Sequence, residues 1–238
     1  MRFALLVPAL VLGAISSPES NGDFATDRVE VAVIEDVPST CAALRIVKAA
    51  YQQLGISVDT LQVPSRRALF LAEQGRVDAD LFRTPMVGEE KENLIRVPYP
   101  LLQGRLMAVF PEADVGDEPA FSGKRVAVRR GVLIAERTAE RLGMDLARTR
   151  NYEQSLNLLE HRRVDMALVS HIEGGSPLGE SKWARFHIHP EPVARFTLYH
   201  YVHRRHADLV EPLAEIMENQ SVRRECLNRD SVGDQSSP

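Results

Sequence analysis

The sequence predicts an α/β fold made of two similar lobes, and an internal repeat is the main evidence for it. Segment 65–82 reads SRRALFLAEQGRVDADLF, and segment 152–169 reads YEQSLNLLEHRRVDMALV. When the two Arg-Val-Asp triplets are superposed, leucines and a glutamate occupy the same positions in both copies. An alternating strand precedes each copy, VEVAVI at 29–34 and KRVAVR at 124–129. A repeated unit of alternating strands and helices predicts two lobes with a cleft between them, and small molecules commonly bind in such clefts.

The first half of the chain alternates strands with helices. After the strand at 29–34, the loop ends in Ser39 and Thr40, residue types that cap helix N-termini. A stripe of apolar residues then predicts a helix that ends at Gly55. The next elements are strand 57–63, helix 66–74 and strand 77–82. Strands that alternate with helices in this way predict parallel, right-handed βαβ units.

The second half repeats this order between two stretches that are predicted to cross from one lobe to the other. The proline-bounded segment 97–101 and the strand 105–110 form the first crossing, and the strand 196–202 forms the return. An amphipathic helix at 207–218 follows the return. Between the crossings we expect strand 125–128, helix 133–142, helix 153–162 and strand 164–169.

These elements divide the chain into five predicted segments, with the two lobes interleaved because the chain crosses twice. The segments are a signal peptide and linker at 1–21, the first part of lobe 1 at 22–104, lobe 2 at 105–196, the rest of lobe 1 at 197–227 and a flexible tail at 228–238.

The N-terminus has the pattern of a secretory signal peptide. Arg2 is followed by an apolar run of about a dozen residues and then by small residues. That run is too short to span a bilayer, which needs about 20 apolar residues. We therefore expect the protein to be periplasmic or otherwise exported. Such a compartment permits a disulfide between Cys41 and Cys226, with two separate thiols as the alternative.

The charge pattern argues against nucleic acid as a partner. The net charge is −4, from 29 Lys and Arg against 33 Asp and Glu, and the two signs are interspersed. A nucleic-acid-binding domain would instead show clustered basic residues. Five of the seven histidines lie between His187 and His206, but a metal site needs three or four convergent ligands. We therefore expect no nucleic acid, metal or cofactor, and a monomer.

The order of motifs resembles one protein family. In the second half, GKRVAVRRG at 123–131 precedes a helix, and RVDMAL at 163–168 follows the next one. Together with VPY at 97–99 and the return strand, this order resembles the extracellular solute-binding proteins of family 3, which are type II periplasmic binding proteins. The resemblance covers essentially the whole mature chain. It implies two Rossmann-like lobes joined by two hinge strands, which close on a small ligand and serve an ABC transporter permease.

The chain departs from the amino-acid binders of that family at two places. Those proteins usually carry an arginine that grips the ligand carboxylate in a Thr-Pro-Glu-Arg-like stretch, whereas this chain reads RTPMVGEE at 83–90. They also usually carry an aspartate after the lobe 2 strand, which grips the amino group, whereas Ser170 and His171 stand there. These departures argue against an ordinary amino acid as the ligand. We expect instead a polar ligand that is amino-acid-like or carries a carboxylate.

Candidate binding residues follow from the rule that ligands bind beyond the carboxyl ends of the strands in open α/β sheets. Arg83 is the leading candidate, because its planar guanidinium suits a carboxylate. The alternative for it is a surface salt bridge to Asp80, Glu89 or Glu90. Ser65 and Asn151 also follow strand ends, but the predicted ligand-binding set is Glu35, Asp36, Arg66, Arg83, Tyr99, Arg130, Gly131, Ser170 and His171.

Two of these candidates suggest anion binding, and two suggest a cationic group. Arg130 and Gly131 precede a lobe 2 helix, whose N-terminal N–H groups attract anions, although a plain turn explains Gly131 almost as well. Glu35 and Asp36 suit a cation, with a turn before Pro38 as the alternative for Asp36.

Three functions are compatible with the predicted fold and binding residues. A solute-binding protein would close its lobes on a ligand and present the closed form to a membrane partner. An enzyme on the same fold, similar to the cyclohexadienyl dehydratases, would need a general acid or base such as Glu173 or His171. A sensor or partner-binding module would report to another protein. Because no nucleophile, phosphate-loop or metal motif supports catalysis, we expect no catalytic residues and a solute-binding protein.

Overall fold

The computed structural model describes residues 26–111, 121–173 and 175–219. The predicted signal peptide, the tail and Cys226 lie outside these residues, so the disulfide stays a prediction, and Cys41 is exposed. Among the helices of the described ranges, none is both long and apolar enough to cross a membrane.

Strands and helices alternate along the described chain. The strands are β1 (Arg28–Ile34), β2 (Ser57–Val63), β3 (Ala79–Arg83), β4 (Leu94–Arg96), β5 (Leu102–Phe110), β6 (Arg125–Arg129), β7 (Asp145–Thr149), β8 (Met166–Ile172), β9 (His187–Ile188) and β10 (Ala194–His203). The helices are α1 (Thr40–Gln53), α2 (Ser65–Glu73), α3 (Met86–Glu90), α4 (Leu133–Arg141), α5 (Tyr152–Glu160) and α6 (Val210–Glu218). Short 3-10 turns add Pro177–Gly179, Ser181–Trp183 and Arg204–Leu209.

One mixed sheet runs through both lobes in the order β2-β1-β3-β10-β5-β8-β6-β7, with β4 beside β10 and β9 beside β5. Strands β2, β1 and β3 are parallel in lobe 1, and β7, β6 and β8 are parallel in lobe 2. The predicted two-lobed α/β fold is therefore confirmed. The predicted parallel pairing holds only inside each lobe, because the crossing strands β5 and β10 run antiparallel to their neighbours.

The two crossing strands join the lobes at the centre of the sheet. Residues 194–198 of β10 pair with β5, and residues 199–203 pair with β3 and β4 of lobe 1. A Cβ atom on Gly104 would lie 2.3 Å from the Phe196 ring, so this pairing needs glycine. The predicted lobe boundaries at 104/105 and 196/197 fall inside these shared strands, and they stay a prediction.

The internal repeat has a structural counterpart in two matched aspartates. In lobe 1 the Asp78 carboxylate accepts a hydrogen bond from Glu30 N at 2.7 Å, and Asp78 N donates to Glu30 O. In lobe 2 Asp165 makes the same pair of bonds with Arg125, also at 2.7 Å for the carboxylate. Each aspartate therefore fixes the start of a strand, so the repeated Arg-Val-Asp triplets have the same structural role in both lobes.

Four elements differ from the sequence-based expectation. Strand β7 was not predicted, because it is an edge strand that pairs only with β6 and lacks an apolar run. Short elements β4 and α3 were not predicted either. The helix predicted at 207–218 begins as a 3-10 turn with a kink at His206. Pro212 explains the late start of α6, because its ring would clash with a helix that continued towards the N-terminus.

A buried polar pair ties α1 to the centre of the sheet in lobe 1. The Tyr51 hydroxyl lies 3.0 Å from His200 Nε2, and His200 Nδ1 lies 3.1 Å from Leu81 O. Since a carbonyl only accepts, Nδ1 carries the proton and Nε2 accepts from Tyr51. Burial lowers the pKa of His200 to about 4. The imidazole is therefore neutral in the folded protein near pH 7.

We predict that the free energy of unfolding falls as the pH drops from about 6.5 to about 4. The unfolded chain binds a proton at His200 in this range and the folded protein does not, so stability is complete above the unfolded pKa and is lost below it. The loss should reach about 3 kcal/mol. Urea unfolding at a series of pH values measures it. His200→Gln should flatten the slope, and the exposed His161→Gln should not; an unchanged slope in His200→Gln would contradict the assignment.

Candidate functional site

A cavity of about 90 Å³ lies between the lobes, where strands from both lobes end and helices begin. This is several times the volume that one buried water needs, so the cavity can hold a small molecule. It is lined by Ile34, Val37, Pro38, Ser39, Ser65, Phe82, Arg83, Thr84, Val87, Arg129, Arg130, Gly131, Val132, Leu133, Ile134, Tyr152, Ser170, Ile172, Gly175, Pro177, Phe196 and Leu198.

Arg83 forms part of the lobe 1 wall, but its guanidinium is already held by protein groups. Nε and Nη2 both lie 2.8 Å from the Asp80 carboxylate, which is fully buried. Nη1 donates to Ser65 Oγ, and Nη2 donates to Ser65 O, each at 2.8 Å. Burial raises the pKa of Asp80, and the charge of Arg83 opposes that rise. The alternative salt bridge to Asp80 therefore exists, in the interior rather than at the surface.

A chain of hydrogen bonds continues from this pair across the cleft into lobe 2. Ser65 Oγ donates to Gly131 O at 2.9 Å, and Gly131 N donates to Glu136 Oε1 at 2.9 Å. Arg66 Nη2 of lobe 1 then reaches Glu136 Oε2 at 3.1 Å. Gly131 has φ +83°, and a Cβ atom there would lie 2.9 Å from Ser65 Cβ. The close contact between the lobes at this point therefore requires glycine.

Arg129 forms the lobe 2 wall. Its Nη2 donates to Glu35 O across the cleft at 2.8 Å, and its guanidinium lies 5.7 Å from the centre of the Tyr152 ring. The Tyr152 hydroxyl in turn accepts from Ser170 N at 3.1 Å. Arg129 is 7% exposed, and no carboxylate among the described residues forms an ion pair with it.

Two buried hydroxyl groups face the cavity from opposite lobes. Ser39 stands at the N-terminus of α1 and Ser170 lies in β8, and they are 0% and 6% exposed. Neither Oγ has a hydrogen-bond partner in the described part of the chain. Although Ser39 is the N-cap residue of α1, its side chain makes no capping bond. Buried polar atoms normally have partners, so both hydroxyls are available to a bound molecule.

The structure brings four of the nine predicted ligand-binding residues to the cavity wall. These four are Arg83, Arg130, Gly131 and Ser170. His171 does not line the cavity, because strand residues alternate between faces and its neighbours Ser170 and Ile172 both point inward. Ser65, which follows a strand end, also lines it.

The other four predicted residues lie around the cavity without lining it. Glu35 contributes only its backbone carbonyl, which accepts from Arg129, and Asp36 occupies a turn with φ 53°. Arg66 bridges to lobe 2 outside the cavity, and Tyr99 packs against the hydrophobic core. These positions keep acidic side chains out of the wall.

The predicted ligand-binding set did not include Arg129, Tyr152 and Ser39, which also line the cavity. Arg129 is the last residue of β6, so the strand-end rule applied to it, but the rule selected the next residue, Arg130. Tyr152 begins α5 directly after β7, the strand that was not predicted. Ser39 was interpreted only as a helix cap. In the described ranges, no group of three His, Cys, Asp or Glu residues stands close enough to hold a metal ion.

The charge of the cavity wall is positive. Among the residues that the structure describes, three arginines line it, Arg83, Arg129 and Arg130, and no Asp, Glu, Lys or His does. The neighbouring carboxylates Asp80 and Glu136 are occupied by arginines of their own. Most of the remaining lining residues are apolar. The wall therefore offers a cationic side to an otherwise apolar space.

Comparison with known sequences gives a limited result. No protein-family model matches the chain. A protein of Shewanella oneidensis described as uncharacterized is 29% identical over 176 residues. The match covers 70% of this chain and 66% of the relative, so the chain spans less than two thirds of the relative's length.

Solved structures identify the fold. The GluR0 ligand-binding core in complex with L-glutamate has a TM-score of 0.71 at 16% identity, covering 87% of this chain and 99% of that one. A histidine kinase sensor domain with similarity to periplasmic binding proteins has a TM-score of 0.71 at 17% identity, covering 87% and 96%. The substrate-binding protein of an amino acid ABC transporter has a TM-score of 0.69 at 15% identity, covering 85% and 98%.

An ancestral amino-acid-binding protein described as a precursor of cyclohexadienyl dehydratase shares the fold too, with a TM-score of 0.65 at 14% identity, covering 85% and 94%. The fold is therefore that of the type II periplasmic binding proteins, as the resemblance predicted. Proteins of this fold include ligand-binding proteins, a sensor domain and a precursor of an enzyme.

We predict that Arg83→Met destabilises the ligand-free protein by about 3 kcal/mol or more, because it leaves the Asp80 carboxyl buried without its partner. Thermal unfolding without added ligand measures this loss. Arg185→Met, which removes an exposed pair with Glu160, is the control and should cost about 1 kcal/mol or less. An unchanged melting temperature in Arg83→Met, with loss of a ligand response, would show instead that Arg83 serves the ligand.

Proposed function

We propose that the protein is an exported, monomeric solute-binding protein, which closes its lobes on a small anionic molecule and delivers it to an ABC transporter permease. The observation that carries the proposal is the shared cavity, whose wall comes from the strand ends and helix N-termini of both lobes. A molecule bound there contacts both lobes at once, so its binding energy favours the closed arrangement.

The contacts between the lobes support a closing motion. Two crossing strands join the lobes, and hydrogen bonds link them across the cleft, such as those from Ser65 to Gly131 and from Arg129 to Glu35. Besides the ion pair of Arg66 with Glu136, a second ion pair between the lobes joins Arg137 to Glu90 at the exposed edge of the cleft. Contacts of this kind can break and re-form when domains move about a hinge.

The composition of the wall supports binding without chemistry. Glu173 and His171, the candidates for a general acid or base, are not among the lining residues, and Glu173 Oε2 accepts from Gln103 N. Arginine stays protonated near neutral pH, and within the described part of the chain the one other ionisable lining side chain is that of Tyr152. Proton transfer normally needs a group that titrates near the working pH.

A thermal-shift screen of amino acids, polyamines, sugars and organic acids tests the proposed function. We predict a raised melting temperature with one class of compound, since ligand at about 100 times its dissociation constant adds roughly 2.7 kcal/mol. Mass spectrometry should recover the compound unchanged after incubation. A converted compound would establish an enzyme, and no shift with any compound would contradict the proposal.

We predict that Gly175→Ala weakens ligand binding while leaving the ligand-free melting temperature nearly unchanged. A Cβ atom at Gly175 of lobe 2 would lie 2.7 Å from the backbone of Pro38 and Ser39 in lobe 1, so the lobes could not close fully. Gly179→Ala is the matched control, because nothing lies within 4 Å of its Cβ position. Titration of the screened compound against both variants measures the effect; equal affinities would show that closure at this point is not needed.

A further inference from the structure

Arg83 and Arg129 are both buried at the cleft, but among the described residues only Arg83 has a carboxylate partner. The charge of Arg83 is balanced by Asp80 at 2.8 Å, and Glu136 is occupied by Arg66 at 3.1 Å. Arg129 is 7% exposed, and its contacts among the described residues are a backbone carbonyl and the Tyr152 ring. A buried charge without a partner is costly, so this guanidinium favours an anion in the cavity.

The two unpartnered hydroxyls extend the same site. Tyr152 connects Arg129 to Ser170, because its ring lies against the guanidinium and its hydroxyl accepts from Ser170 N. Ser39 faces the cavity from lobe 1 at the N-terminus of the 14-residue helix α1, and it follows the loop whose Glu35 carbonyl holds Arg129. A guanidinium, two hydroxyls and the positive end of a helix together suit the oxygens of a carboxylate.

Among the described residues that line the cavity, none carries a carboxylate that would pair with an ammonium ion. The buried carboxylates of Asp80 and Glu136 are engaged by arginines and are not among the lining residues of the cavity. Two of the lining arginines, Arg129 and Arg130, would repel a second positive charge. The rest of the wall includes Phe82, Ile134 and other apolar side chains, which suit a hydrocarbon body.

We infer that the ligand is a small carboxylate with an apolar body and no ammonium group, whose carboxylate binds Arg129 with help from the hydroxyls of Ser39 and Ser170. This inference rests on the proposed function and gives it a ligand class. In this inference Arg83 does not bind the ligand but holds Asp80 and Ser65 in place in the cavity wall. The absent ammonium group separates this ligand class from the α-amino acids that L-glutamate exemplifies in one structural neighbour.

Three probes with one carbon skeleton isolate each charge. They are 4-methylpentanoate, leucine, which adds the ammonium group, and 4-methylpentanamide, which removes the negative charge. A second set is 3-phenylpropanoate, phenylalanine and 3-phenylpropanamide. Calorimetric titration of the purified protein should show that at least one carboxylate binds about tenfold or more tightly than its amino acid and its amide, since hydrogen bonds to a charged group carry this much discrimination.

Variants then locate the carboxylate. Arg129→Gln should weaken the carboxylate that binds by about tenfold or more, while the amide changes little. Arg125→Gln is the matched control on the same strand, because its side chain is exposed at the other end of β6. Ser39→Ala keeps the test valid even if Arg129→Gln does not fold, since Ser39 Oγ has no partner to lose. It should weaken the same carboxylate severalfold at an unchanged ligand-free melting temperature.

The outcomes separate this inference from the proposed function. Tight carboxylate binding that depends on Arg129 or Ser39 supports both. Equal or tighter binding of the amino acids, unaltered binding in Arg129→Gln and Ser39→Ala, or a response to sugars or polyamines alone overturns the ligand class and leaves a binding protein. No response to the six probes or to any compound of the wider screen overturns both.

Discussion

The contact between Ser65 and Gly131 is the constraint on which the geometry of the cleft depends. Ser65 Oγ accepts from Arg83 and donates to the Gly131 carbonyl, so one hydroxyl connects the buried Asp80–Arg83 pair of lobe 1 to the loop before α4 in lobe 2. Gly131 N then donates to Glu136, and the Glu136 carboxylate pairs with Arg66 of lobe 1. Gly131 allows this approach because a side chain there would meet Ser65, and glycine also tolerates the left-handed backbone conformation at this position. The contact between the lobes and the order of the cavity wall are therefore coupled.

This network also determines which charges remain for a ligand. The buried carboxylates next to the cavity, Asp80 and Glu136, are each engaged by an arginine, so the wall keeps an excess of positive charge at Arg129 and at the more exposed Arg130. Because the surrounding residues are largely apolar, the field of Arg129 is screened less than that of a surface arginine. The same side chain holds a lobe 1 carbonyl, so a bound anion would act on a residue that already joins the lobes.

Local patterns in the sequence predicted the fold because each pattern reports on one element at a time. The repeated Arg-Val-Asp triplets located two matching strand starts, and the alternating segments located the buried strands β1 and β6. Prediction failed where an element lacks a local signal. Strand β7 lies at the sheet edge and needs no apolar run, and the late start of α6 is set by Pro212 rather than by the apolar period. The strand-end rule selected the rim of the sheet where the cavity lies, but it could not decide which side chains at that rim point inward.

The sequence by itself determined the two-lobed α/β plan, its crossing strands and the region of the cleft. Periodicity and turn residues encode these features within short stretches of chain. Only the tertiary structure decided the roles of individual side chains at the site. Arg83 and Arg129 both end strands at the cleft, yet one lies against a buried aspartate and the other against a carbonyl and a ring. That difference arises from contacts between residues distant in the chain, and the electrostatics of a buried group depend on such neighbours more than on its residue type.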